Sequence, residues 1–249
     1  LVAYSSVSHM GLVMLGMFAL TPVGITGSII QQINHGISTG ALFLIVGIVY
    51  ERRHTREISE YGGLSKTMPV YAAVFLIMTM SSIGLPTLNG FIGEILILQG
   101  IFVVSKWWAA VAATGIVLGA AYMLWLYQRT MFGTIDNPKN EGLADLNMRE
   151  LATFVPLIIL AVWIGLYPSP FLRRLETSVE RVMTRVNADY APQNVMAVCQ
   201  DDPSHAEVRL AKESKRVDGV IVEACPDDKL TSEPSNGSML RGSALAGGN

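Results

Sequence analysis

The sequence predicts an all-α fold, a polytopic bundle of transmembrane helices followed by a polar C-terminal tail. Of the 249 residues, 51% are hydrophobic and 15% are charged, and the mean hydropathy is +0.41. Typical soluble domains carry about 25% charged residues. The charges are also unevenly placed, because Asp, Glu, Lys and Arg are absent from residues 1–50, 107–128 and 151–172. Such runs are typical of membrane spans, since a helix needs about 20 apolar residues to cross the hydrocarbon core.

The same length rule predicts apolar segments at residues 1–20, 26–50, 69–105, 107–131 and 151–172. The third segment is too long for one regular span, because as a continuous helix it would measure roughly 55 Å. It is therefore either a hairpin of two short helices or one span with an unwound middle. Pro86 and the nearby Gly84, Gly90 and Gly93 mark the position of the break.

The basic residues help to choose between these two topologies, because cytoplasmic loops collect Lys and Arg. The loop after the second segment contains Arg52, Arg53, Arg56 and Lys66. If 69–105 is one broken span, the basic loop 129–150 lies on the same side of the membrane as the loop after the second segment. If 69–105 is a hairpin, the two basic loops lie on opposite sides. This favours about five spans, of which one is discontinuous. With this number of spans, however, the four arginines of 173–185 lie outside the cytoplasm, against the same rule. The hairpin therefore remains an alternative.

We divide the chain into a membrane part, residues 1–180, and a polar tail, residues 187–249. Scattered Pro and charge without a sustained period are typical of a solvated, partly disordered segment. Cys199 and Cys225 both lie in the tail, where they can pair only in an oxidising compartment, so their pairing stays open. Because the sequence starts without Met or a charged signal region, we expect it to be the C-terminal fragment of a larger protein.

Glu94 is the one charged residue between Lys66 and Lys106, and it follows the predicted break. An ionisable group inside a span costs roughly 2.5–3.5 kcal/mol on insertion scales, so it normally faces protein or water and has a function. An unwound backbone also holds waters, which a moving proton needs. We therefore predict that Glu94 points into the bundle and transfers protons. The alternative is a neutral, hydrogen-bonded structural carboxyl group.

His9 and His35 are the next candidates, each among small and hydroxyl-bearing residues within a predicted span. Imidazole titrates near neutral pH and suits a relay, although a single buried His is often only a satisfied core residue. Together with Glu94, the two histidines can converge inside a bundle. Neighbouring polar residues would extend this axis: Ser5, Ser6, Ser8, Gln31, Gln32, Asn34, Ser38 and Thr39. The small residues among them also permit close helix packing.

The sequence indicates no cofactor or metal site in this chain. The cysteines lie outside the spans, and the intramembrane histidines lack a ligand partner at helical spacing. The net charge of −2 does not indicate nucleic-acid binding.

Three stretches, LVAYSSVSHMGLVMLG, NHGISTGALFLIVGIVYERRHTREISEYGGL and GLPTLNGFIGEILIL, are similar to a known family. Over about residues 1–180 the chain resembles subunit M of bacterial respiratory complex I, the NADH:quinone oxidoreductase, one of its antiporter-like membrane subunits. The resemblance implies the last spans of that subunit, one of them discontinuous. It also implies that Glu94 ends a proton half-channel and that His9 and His35 lie along the central polar axis.

The resemblance implies a translocase subunit without a redox centre, in the bacterial cytoplasmic membrane beside other complex I subunits and lipid. It would couple quinone reduction elsewhere in the complex to proton transfer along a path of Glu, His and water. A cation/proton antiporter or membrane-bound hydrogenase subunit of the same fold is the alternative, and a scaffold without conduction is a third. Two features depart from the family: its earlier Glu and two intramembrane lysines would precede Leu1, and the tail has no recognised counterpart.

Overall fold

The computed structural model describes residues 1–135, 137–186, 216–217 and 220–221. Its eight described α-helices confirm the all-α prediction, and they are α1 (Val2–Phe18), α2 (Pro22–Arg53), α3 (Leu64–Thr67), α4 (Pro69–Ser82), α5 (Asn89–Val104), α6 (Lys106–Met131), α7 (Met148–Leu166) and α8 (Ser169–Val186). Two short 3₁₀ helices lie in the loops, at Ile58–Glu60 and Pro138–Asn140.

The chain separates into two units, Leu1–Tyr190 and Ala191–Asn249, and the first contains the eight described helices. In the second unit, strands β1 (Arg216–Val217) and β2 (Val220–Ile221) pair antiparallel. Apart from these four residues, the predicted tail 187–249 lies outside the described part of the chain, and so do Cys199 and Cys225.

α4 and α5 are the two halves of one broken span. The Tyr71 hydroxyl of α4 donates a hydrogen bond to the Ile45 carbonyl near the C-terminal end of α2, at 3.0 Å. At the far end of α5, the Gly100 carbonyl accepts a hydrogen bond from Thr21 Oγ1, just before α2 begins, at 3.3 Å. α4 and α5 therefore follow one another along a single antiparallel neighbour. The broken-span prediction is confirmed, because a hairpin would reverse direction along α2.

Three described helices, α2, α6 and α7, are long and apolar enough to cross a membrane by length and composition. α1, α4 and α5 are shorter apolar helices of 17, 14 and 16 residues. Taking α1 and the broken α4–α5 pair as spans gives the predicted five, one of them discontinuous.

The predicted last span, 151–172, extends too far. α7 ends at Leu166, and a separate helix, α8, begins at Ser169. Pro168 and Pro170 explain the interruption, because proline lacks the backbone N–H that a helix interior requires. The span was predicted from the uncharged run 151–172, which continues past the end of α7.

α8 is amphipathic and covers the end of the bundle where α2 begins. Its buried Val179 and Met183 pack against Ile25 of α2, with Leu175 and Ile29 beside them. The arginines of α8 are exposed: Arg173, Arg174, Arg181 and Arg185. These four arginines therefore lie at the opposite end from the basic loops, as the broken-span topology requires.

The loops after α2 and α6 meet at the other end of the bundle. Arg52 donates to both carboxylate oxygens of Glu150 at the start of α7, at 3.1 and 2.8 Å. Arg53 Nε donates to Asn140 Oδ1 at 2.7 Å. These contacts place the loops 54–68 and 132–147 on the same side, as the distribution of basic residues predicts.

Asp145 in the second of these loops caps α4 from a distance. Its two carboxylate oxygens accept hydrogen bonds from the backbone N–H groups of Val70 and Tyr71, at 2.9 and 3.0 Å. These amides belong to the first turn of α4, where no intrahelical carbonyl is available. The first half of the broken span is thereby anchored to the loop that precedes α7.

We expect Asp145→Ala to reduce the stability of the full-length protein by about 0.5–2 kcal/mol, the usual range for loss of a helix cap. Asp145→Asn, which keeps one acceptor oxygen, should reduce it less. The thermal unfolding midpoint in detergent measures the effect. Glu141→Ala, which removes an exposed carboxylate from the same loop, is the matched control. Equal midpoints for the Asp145→Ala and Glu141→Ala variants would contradict the capping role.

Candidate proton-transfer site

The break in the third span covers residues 83–88. α4 ends at Ser82 and α5 resumes at Asn89, within the predicted region but over a shorter stretch. Gly84 has a φ of 73°, which glycine adopts without strain, and Thr87 has a φ of 89°, which is unusual for a β-branched residue. Gly90 and Gly93 belong to α5. They serve close packing, because a Cβ there would collide with the Ser81 carbonyl and the Gln31 side chain.

Two asparagines join the start of α5 to α2 by reciprocal hydrogen bonds, which we call the amide clamp. Asn34 Nδ2 donates to the Asn89 carbonyl at 2.7 Å, and Asn89 Nδ2 donates to the Asn34 carbonyl at 3.3 Å. Ser81 Oγ adds a bond to Asn89 Oδ1 at 2.5 Å. Both asparagines are 0% exposed. The clamp therefore gives both buried side-chain amides a partner and ties the first residue of α5 to α2.

Glu94 lies on the inner face of α5 and is only 4% exposed, so its predicted inward orientation is confirmed. Its carboxylate lies against Gly84, where a Cβ would collide with Oε2. Glu94 Oε1 is 3.5 Å from His9 Nδ1 of α1. This distance allows an electrostatic interaction but is long for a hydrogen bond, so a small movement of either side chain would be needed to form one.

His9 lies between Glu94 and His35. The two imidazole ring centroids are 5.9 Å apart, and His9 Nε2 lies 3.5 Å from Ser82 Oγ at the end of α4. His35 Nε2 is buried and has no hydrogen-bond partner among the described residues. The structure therefore brings together all three predicted residues, with His9 in contact with both of the others.

A cavity of about 200 Å³ adjoins these groups between α1, the break and α6. Ser8, His9, Ser82 and Glu94 form its polar lining, and Gly115 and Gly119 of α6 are part of the opposite wall. A water occupies about 30 Å³ in the liquid. The cavity thus has room for several waters in direct contact with Glu94.

Sequence reasoning missed two polar residues of this site, Asn89 and Tyr122. The Tyr122 hydroxyl of α6 faces Ser5 and Ser8 and lies close enough to Glu94 to interact with its charge. It makes no hydrogen bond of good geometry. A tyrosine inside the uncharged run 107–128 was an available signal. Asn89 gave no such signal, because its partner is remote in sequence. Gln32, predicted as part of the polar axis, is exposed on α2.

Within the described ranges, no group of three or more His, Cys, Asp or Glu residues has a geometry that could hold a metal ion. The site is therefore a cluster of two imidazoles, one carboxylate and several hydroxyl groups. Such groups can accept, hold and release protons.

We expect Gly84→Ala to destabilise the full-length protein by about 1–3 kcal/mol, because the alanine would be strained at positive φ and would push against Glu94. Gly47→Ala, at an open position on α2, should have no such cost. Thermal midpoints of both variants measure this difference. If the collision with Glu94 is part of the cost, Glu94→Asp should partly relieve it. Strictly additive losses in the double variant would exclude that contribution.

Comparison with known proteins shows which family this chain resembles. Residues 1–119 match the family model described as NADH:quinone oxidoreductase/Mrp antiporter, TM. NADH-quinone oxidoreductase subunit M of Rhodobacter capsulatus is 46% identical over 189 residues, 76% of this chain and 37% of that protein. Its counterpart in Rickettsia prowazekii is 47% identical over 185 residues, 74% of this chain and 38% of that protein. The chain thus spans less than two fifths of the length of these relatives.

Solved structures agree with this assignment. Respiratory complex I from Thermus thermophilus with bound NADH contains a chain that matches with a TM-score of 0.67 and 37% identity, over 74% of this chain and 38% of that one. A chain of the Mrp complex from Dietzia sp. DQ12-45-1b matches with a TM-score of 0.66 and 21% identity, over 73% of this chain and 42% of that one, which shows the fold alone. Over its first 119 residues the chain thus matches the NADH:quinone oxidoreductase/Mrp antiporter transmembrane family, and over about three quarters of its length it is similar to NADH-quinone oxidoreductase subunit M.

Proposed function

We propose that this chain forms part of a proton-translocating membrane subunit of NADH:quinone oxidoreductase, with Glu94, His9 and His35 as its proton-transfer residues. The observation that carries the proposal is the buried carboxylate of Glu94, held beside a helix break and 3.5 Å from an imidazole. A buried carboxylate within a span costs free energy unless it has a partner or water. Its retention at a break with an adjoining cavity is best explained by proton transfer.

The geometry supports a relay in which His9 exchanges protons with both neighbours. Its Nδ1 faces Glu94, and its ring lies 5.9 Å from that of His35. A neutral imidazole donates from one nitrogen and accepts at the other, so it can pass a proton across its ring. Waters in the adjoining cavity, which His9 and Glu94 both line, would connect this pair to further proton donors and acceptors.

Charge balance would couple the three groups to one another. Opposite charges on Glu94 and His9 would attract each other across their separation of 3.5 Å. Protonating His9 and His35 together is unfavourable, because two like charges would then lie side by side in a region of low dielectric constant. Arrival of a proton at His35 would therefore favour release from His9, and transfer toward Glu94 would follow.

Quinone reduction in other subunits would supply the free energy for these protonation changes, and this chain would contain no redox centre. The proposal places the chain in the bacterial cytoplasmic membrane, in contact with lipid and with the other membrane subunits of the complex. Relatives at 46–47% identity named as subunit M support this assignment. The fold-level match to an Mrp complex keeps a cation/proton antiporter subunit as the second candidate.

Replacing Glu94 by Gln in the full-length protein should lower proton pumping and coupled NADH:quinone activity by about tenfold or more, since a positioned acid or base typically contributes roughly 10²–10⁴-fold. Glu94→Asp should have a milder effect, because it retains a carboxylate. Pumping is measured in membrane vesicles, with assembly of the complex checked in parallel. Glu141→Gln, in an exposed loop, is the control. An assembled Glu94→Gln variant that pumps normally would exclude the proposed role.

A further inference from the structure

An apolar groove runs along the outer surface at the end of the bundle where α5 turns into α6. It has a volume of about 570 Å³, within the range of roughly 300–1,000 Å³ that is usual for small-molecule sites. Leu98, Phe102 and Val103 of α5 form one wall, and Ala109, Ala110 and Ala113 of α6 form the other. The groove is remote from the proton-transfer site, because Lys106 at its mouth is roughly 18 Å along the helix direction from Glu94.

The mouth of the groove lies at the level of the membrane interface. The turn at Ser105 joins α5 to α6, and the next two side chains, Trp107 and Trp108, are 74% and 56% exposed. Exposed tryptophans next to a span are typical of the headgroup region. From this level the groove extends along α6 to Ala113, so its long axis follows the spans into the hydrocarbon region.

Among the described residues that line the groove, Lys106 is the one with a basic side chain. Its ammonium group lies 5.8 Å from the centre of the Phe102 ring, over the apolar wall. Among the described residues, no carboxylate forms an ion pair with Lys106. The nearest acidic residue along the chain is Glu94, which is buried inside the bundle. The groove therefore combines an apolar channel with an uncompensated positive charge at its interfacial end.

We propose that this groove binds an anionic phospholipid, with one acyl chain between α5 and α6 and the phosphate beside Lys106. The acyl chain would cover the exposed apolar walls, including Val103, which is 81% exposed. The phosphate would supply the negative partner that no described residue offers. A transmembrane helix packed on the same surface would desolvate Lys106 without neutralising it, which is unfavourable for a charged side chain.

Spin-labelled lipids test this proposal on the full-length protein reconstituted in phosphatidylcholine vesicles. The measured quantity is the relative association of spin-labelled phosphatidylglycerol over spin-labelled phosphatidylcholine. Lys106→Gln should lower this preference by roughly fivefold, since a basic residue near the surface contributes about 1 kcal/mol to anionic lipid binding. Lys106→Arg, which keeps the charge, should retain the preference. Ala110→Leu, which fills the groove, should reduce the association of both lipids.

Arg185→Gln is the matched control, because it removes one exposed positive charge at the same end of the bundle but outside the groove. The proposal requires that this variant keeps the preference for phosphatidylglycerol. If Lys106→Gln and Arg185→Gln lower the preference for phosphatidylglycerol equally, the effect is one of general surface charge, and the proposed site is wrong. An unchanged preference in Lys106→Gln, or unchanged association in Ala110→Leu, would also overturn it.

Discussion

The reciprocal hydrogen bonds between Asn34 and Asn89 hold the third span at its interruption. Both asparagine side chains are buried, and a buried amide costs free energy unless it is hydrogen-bonded. In the amide clamp each Nδ2 group donates to the backbone carbonyl of the other asparagine, and Ser81 adds a bond to the Asn89 side chain. Because α5 is fixed at its first residue, its inner face, and with it Glu94, has a defined position relative to α1 and α2.

Packing around the clamp differs between the two sides of α5. Toward α2 the backbones are in close contact, since a Cβ on Gly27 would lie 2.7 Å from the Ile97 nitrogen. Toward α1 and α6, small residues border the cavity that contains His9 and Glu94. The free volume available to water therefore lies on the α1–α6 side of the carboxylate. Small residues such as Gly27 thus permit close helix packing on the α2 side, and a different set, including Gly115 and Gly119, leaves space for water on the other.

Much of this architecture could be predicted from local sequence. The excess length of 69–105 and Pro86 predicted the break, and the lone charge of Glu94 predicted its inward position. The boundary of α8 was missed because the absence of charge continued past Pro168. Tyr122 was overlooked although it lies inside an uncharged run. The amide clamp was beyond reach, because it depends on which helices become neighbours and Asn89 has no distinctive local pattern.

The central claim is that Glu94 exchanges its proton with water inside the bundle. Infrared difference spectroscopy of the reconstituted full-length protein tests it most directly, with the bands of Glu94 assigned by their absence from Glu94→Gln. The account predicts carboxyl and carboxylate bands that interconvert reversibly with pH and shift in heavy water. A Glu94 carboxyl group that neither titrates nor exchanges in heavy water would contradict the claim and would indicate a structural carboxyl group.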